Sequence, residues 1–260
     1  MKRKRIRPVA FSLVELLVVI GVIALLIAIL VPVISLARKQ ARATACMANL
    51  QQWGQAFQMY ASAYNRSPPM HTAPDATEMA WWEILGEFNG DVRATLVCPE
   101  AAEPRDNSPD PGDGVQRRYL NPRGTATSAW RVPTYRVAAP QWVLRGDWCG
   151  SYGMNNWVRR FPDAFRAMEI VRFPPKDSAR VPMLGDCIMS GVYPNPTSSP
   201  PKDLQDPEQN STLPYCIDRH RMAINVAFLD GHVERVPLAD LWKLKWSELF
   251  AARDVVVPKP

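Results

Sequence analysis

The 260-residue sequence contains no HExxH zinc helix, no GxSxG nucleophile turn and no Walker phosphate loop. The local signatures of metalloproteases, serine hydrolases and nucleotide-driven enzymes are therefore missing, and catalysis is not expected. No two cysteines stand in CxxC spacing. Cys46, Cys98, Cys149, Cys187 and Cys216 are too dispersed for a compact zinc knuckle. In an oxidising compartment four of them would allow two disulfides in three pairings, with Cys46 the expected unpaired thiol; five buried thiols are the alternative. A basic surplus is also nearly absent, since five of the six net positive charges fall in residues 1–10. The rest is close to neutral, and no nucleic-acid partner is predicted. No internal repeat is evident, and 25 prolines point to loops rather than a helical bundle in the outer part.

Charge is missing altogether from Leu16 to Ile34. At about 1.5 Å per residue this run is long enough to cross a hydrocarbon layer of roughly 30 Å. Glu15 stands at its edge, where a carboxylate is expensive and normally acquires a partner. Before it, Lys2, Arg3, Lys4, Arg5 and Arg7 form a basic leader without an acid. Positive flanks stay cytoplasmic, so the N-terminus reads as inside and the bulk of the chain as outside.

A short basic leader, a small residue and then Phe11-Ser12-Leu13-Val14-Glu15-Leu16-Leu17-Val18-Val19-Ile20 resembles the prepilin signal of type IV pilins and type II secretion pseudopilins. The resemblance implies cleavage between Ala10 and Phe11 and methylation of the new amine on Phe11. Ala10 stands where the family prefers glycine. Glu15 would neutralise the Phe11 amine of a neighbouring subunit during assembly. The implied partners are copies of the chain, other pilin-like subunits, the prepilin peptidase and an assembly platform in the inner membrane. Three other readings remain: a secretory signal peptide cut after Ser35-Leu36-Ala37, an ordinary single-span anchor, and a monomeric anchored binding protein that never polymerises.

Beyond Pro32 the helix pattern continues, with Cys46, Leu50, Trp53, Phe57, Tyr60 and Tyr64 recurring at steps of three and four. Asn65-Arg66-Ser67-Pro68-Pro69 is the stop. The expected organisation is a leader at 1–10, a transmembrane and assembly helix at 11–34, its amphipathic continuation at 35–64, and an extracytoplasmic α+β head at 65–260. The predicted fold class is α+β and pilin-like, a long N-terminal helix packed on an antiparallel sheet. Within the head, 81–85 reads as a short helix, 104–114 as a polar loop, 135–138 and 141–144 as weak strands, and 181–187 as a strand ending near Asp186. Trp130, Trp142, Trp148 and Trp157 are either core or a ligand surface.

Ile224, Val226 and Phe228 alternate as on a half-buried strand, Asp230-Gly231 is a two-residue turn signal, and Val233 to Val236 resume a second strand. His220, nine residues and Asp230-Gly231, together with Asn49-Leu50, Gly54 and Cys98-Pro99, resemble a large pseudopilin-like group of planctomycete-type bacteria. Asp186, His220, Asp230 and His232 are the candidate metal ligands: the carboxylates suit Ca2+, the histidines zinc. The alternatives are a hairpin that needs no ligand at Asp230 and a strand-entrance hydrogen bond at His220.

Overall fold

The computed structural model describes residues 13–64, 80–102, 124–132, 148–158, 177–205 and 213–259. The processing residues Ala10 and Phe11, the loop 104–114, the weak strands 135–138 and 141–144, and Trp142 lie outside them. The chain forms two compact units, Met1–Ala41 and Arg42–Pro260. Helix α1, Leu13–Ala63, carries Pro32 in its interior. Its residues are mostly good helix formers, so the pattern runs through the proline despite the lost N–H donor.

In the first unit, the side chains from Leu13 to Leu36 are all exposed. This part of α1 is long and apolar enough to span a membrane as a single-pass anchor.

In the second unit, the stripe of α1 becomes core. Cys46, Leu50, Trp53 and Phe57 are fully buried, Tyr60 nearly so, and Tyr64, past the end of the helix, is half-exposed. Each large apolar side chain removed from water contributes roughly 1.5–3 kcal/mol. Two short helices follow: α2, Trp81–Gly86, where the Glu83 carboxylate accepts the Ala80 N–H at 3.0 Å, and α3, Val92–Thr95, capped by Asp91.

The strands are β1 (Trp130–Val132), β2 (Trp148–Gly150), β3 (Tyr152–Asn155), β4 (Pro182–Asp186), β5 (Gly191–Val192), β6 (Ala223–Phe228) and β7 (Val233–Pro237). β1 and β2 pair by themselves; the others form one sheet in the order β5-β3-β4-β6-β7. The architecture is α+β. The sheet is mixed rather than wholly antiparallel, because β3 and β5 run parallel.

β6 departs from the half-buried expectation, since all six of its residues are buried. Ile224, Val226 and Phe228 join a cluster with Trp242 and Trp246, while Ala227 joins the cluster of Cys46, Leu50 and Trp53. The alternate face is small or polar because α1 covers it closely: Asn225 Nδ2 donates to the Ala43 carbonyl at 3.2 Å. The hairpin loop also differs. Gly231 N–H donates to the Phe228 carbonyl, Phe228 N–H to the His232 carbonyl, and Gly231 has φ +92°. This is a three-residue loop, Leu229-Asp230-Gly231, with glycine at the positive-φ position.

Trp130 and Trp157 are core, donating their indole N–H groups to the carbonyls of Tyr152 and Pro194. Trp148 is partly buried beneath the Arg93 guanidinium, 4.4 Å from its ring centroid. The chain after β7 turns through a 3-10 helix, Leu238–Lys243, that buries Trp242 against the second cluster.

Candidate functional site: an apolar helix and a buried polar cluster

Glu15 lies in the first turn of α1, directly before the fully exposed apolar stretch of the first unit. A carboxylate there is favoured by the helix N-terminus. In sequence it adjoins Val14 and Leu16, at the edge of an apolar run where a carboxylate is expensive.

Within the second unit, the sequence candidates separate into two pairs. Asp186 ends β4 and His220 precedes β6, whereas Asp230 and His232 belong to the hairpin loop at the far end of β6. Six strand residues intervene, a separation of about 17–20 Å at the usual rise. The four therefore cannot hold one ion. Asp230 and His232 contact each other near the surface through Oδ1 and Nδ1, and the imidazole stacks on Phe228 with centroids 4.4 Å apart. That pair shapes the turn.

The inner pair sits in a cluster that spacing alone does not reveal. Asp186 is fully buried, and its Oδ2 lies 3.2 Å from His220 Nε2 and 2.8 Å from the Asn225 N–H. Oδ1 lies 3.2 Å from Arg219 Nη1 and 3.4 Å from Cys46 Sγ. Cys98 Sγ lies 3.6 Å from His220 Nε2. The donor atoms of Cys46, Cys98, Asp186 and His220 all fall within 4.8 Å of one another, on residues that are all buried. None of the five cysteines forms a disulfide. Cys46 is thus not an isolated thiol on the helix but faces Cys98 across this cluster.

Each member is delivered by local structure. The amphipathic stripe of α1 turns Cys46 inward. Cys98 follows α3, in a segment tied to α1 because Asn49 Nδ2 donates to the Val97 carbonyl and Trp53 Nε1 to the Thr95 carbonyl, both at 2.9 Å. His220 is aimed by a tight turn in which Arg221 and Met222 have φ of 56° and 58°. Two consecutive non-glycine residues in the left-handed region cost about 1–3 kcal/mol each. The turn is held by the Asp218 carboxylate, which accepts the Met222 N–H, and by Arg235, which donates to the carbonyls of His220 and Arg221.

Arg219 has no exposed side-chain surface. Besides Asp186 it donates to the carbonyls of Thr125, Ala126, Ser151 and Cys187. Burial pushes the Asp186 carboxyl up, but the hydrogen bond and charge of His220, the charge of Arg219 and the Asn225 N–H reverse this and hold it below its ordinary value. Burial pushes His220 down, yet its bonds to Asp186 and Cys98 raise it to about 9. The Cys46 contact lowers the Cys98 thiol more than burial raises it, to about 6, and Cys46 itself is raised by burial. Arg219 carries no motif signal beyond adjoining His220.

Residues 35–88, which include the inward-facing part of α1, match the family described as a protein of unknown function, DUF1559. No curated protein and no solved structure matches the chain.

Proposed function

We propose that the protein is a pilin-like subunit, anchored by residues 16–34 in the inner membrane, with its N-terminus cytoplasmic and its α+β head outside. The observation that carries this reading is α1: an uncharged, wholly exposed stretch of membrane-spanning length, headed by one carboxylate at Glu15. A plain anchor needs the apolar length but not the acid. The basic leader supports the orientation, and the match over residues 35–88 fits a pilin-like extracytoplasmic protein.

In this reading the peptidase cuts between Ala10 and Phe11, and the Phe11 amine is methylated. The helices of many copies then bundle, each Glu15 neutralising the Phe11 amine of a neighbour. The work is packing rather than turnover, and the filament belongs to a type II secretion or type IV pilus-like system.

The test is the mass and N-terminal sequence of the mature chain from its native membrane, with and without the prepilin peptidase. A chain starting at methylated Phe11 only when the peptidase is present is the expected result. A start at Arg38, or an intact Met1, overturns it.

A further inference from the structure

We propose that Cys46, Cys98, Asp186 and His220 form a closed structural zinc site that fastens the inward-facing part of α1 to the sheet of the head. The inference is independent of whether the chain assembles into filaments.

The distances carry it. Zinc binds sulfur at about 2.3 Å and imidazole nitrogen or carboxylate oxygen at about 2.0–2.2 Å in tetrahedral geometry. Such a tetrahedron has S···N and S···O edges of about 3.5 Å and an N···O edge of about 3.3 Å. The observed edges are 3.6 Å from Cys98 Sγ to His220 Nε2, 3.6 Å from Cys46 Sγ to Asp186 Oδ2, and 3.2 Å from His220 Nε2 to Asp186 Oδ2. These three edges match a tetrahedral ion, and all four donor atoms fall within 4.8 Å of one another. The two sulfurs and one nitrogen exclude calcium, which takes six to eight oxygens.

The surroundings are those of a metal site rather than a chance polar pocket. A ligating carboxylate is normally oriented by outer partners, and Asp186 has the Asn225 N–H on one oxygen and Arg219 on the other. Arg219 also settles the charge. A dication with two thiolates and one carboxylate leaves one negative charge, which the buried guanidinium cancels. Binding displaces two protons from the cluster for each ion, so its net charge is conserved. With four protein donors and burial throughout, no coordination position is open to substrate. The strained Arg221-Met222 turn gains a purpose, since it brings His220 to a fixed point.

The full-length chain, purified in detergent with a phosphine reductant and no chelator, is expected to carry one zinc ion per chain by elemental analysis. After metal removal, cobalt(II) should restore the visible bands of tetrahedral coordination and a thiolate-to-cobalt charge-transfer band at one equivalent. Cys98→Ser and His220→Gln should abolish stoichiometric binding, and Asp230→Asn should leave it unchanged. Should a variant fail to fold, the unaltered chain decides, through the release of two protons per zinc ion bound, read with a pH indicator in weakly buffered solution; zinc taken up without proton release overturns the site. A chain with five titratable thiols that takes up neither metal stoichiometrically overturns the proposal. So does a Cys46–Cys98 disulfide trapped by alkylation directly from the native membrane.

Discussion

A methyl group placed on Gly54 of α1 would stand 3.3 Å from the carbonyl oxygen of Gly231 at the tip of the β6–β7 loop. The same carbonyl accepts a hydrogen bond from Gln51 Nε2 at 3.2 Å, and Gln58 Nε2 donates to the Leu229 carbonyl at 2.7 Å. Helix and loop are therefore in backbone contact, with glutamines on either side fixing the approach. Alanine at Gly54 gains about 1 kcal/mol of helix propensity but must move that carbonyl, so Gly54→Ala is expected to be near neutral. Gly54→Val overfills the gap and is expected to cost about 1–3 kcal/mol. Gly231→Ala should cost about 1–2 kcal/mol for a different reason, its positive φ, because the space around it is open enough. Denaturant unfolding of the detergent-solubilised chain measures all three.

Arg219 and Asp186 are a fully buried ion pair. Removing one partner leaves an uncompensated charge, so Arg219→Met is expected to destabilise the head by about 3–5 kcal/mol. Arg219→Lys keeps the charge but cannot reach four backbone carbonyls from one ammonium, so it should recover only part of that loss. Thermal unfolding of the two variants checks the order. Equal stability of Arg219→Met and the unaltered chain would sink this account of the pair.

The parts legible in the sequence are those whose pattern is local. The uncharged run, the three-and-four spacing from Cys46 to Tyr60, and the alternation of β6 each lie within one element, and each becomes that element. The Asp-Gly signal marked the right turn but not its length, because a three-residue loop with glycine last and a two-residue loop share the dipeptide. Both faces of β6 being buried was not legible, since Ala223, Asn225 and Ala227 look solvent-facing until α1 is laid across them. The buried cluster was half legible: Asp186 and His220 stood out, but Cys46 lies 140 residues from Asp186 and only the fold joins them. Asp230 and His232 were grouped with that pair by residue type, and the length of β6 separates them.

Thiol chemistry distinguishes the cysteines outside the cluster. Burial pushes Cys187 and Cys216 up to about 12, whereas Cys149 is only partly covered. At pH 8 the folded chain should be alkylated at Cys149 far faster than at Cys187 or Cys216, and denaturation should equalise the three. Peptide mapping after a brief pulse of iodoacetamide reads this directly.

The same burial makes stability depend on pH. Cys216 keeps its proton up to about 12 in the folded chain, from an ordinary value of 9.0. Its unfolded form therefore binds fewer protons across that interval. The contribution is fully present below pH 9 and declines as pH rises toward 12, by at most about 1.4 kcal/mol per pH unit. Cys216→Ala removes the group, so its unfolding free energy should fall less steeply than that of the unaltered chain between these limits. Parallel curves would show that the thiol is not held protonated.

Glu15 separates assembly from anchoring. The apolar stretch from Leu16 to Ile34 retains its length and composition in Glu15→Ala and Glu15→Gln, so membrane retention should be unchanged in both. If the carboxylate neutralises the Phe11 amine of a neighbour within a helical bundle, either substitution leaves that amine buried and unmatched. A cost of about 3–5 kcal/mol at each contact corresponds to a loss of assembled material of roughly a hundredfold or more. The glutamine variant is the sharper of the two, because it keeps the shape and removes only the charge. Quantifying the chain in sheared filament and membrane fractions gives the answer. Filaments lost with membrane levels intact is the expected result; filament yield indifferent to both substitutions would remove Glu15 from assembly and leave α1 as a simple anchor.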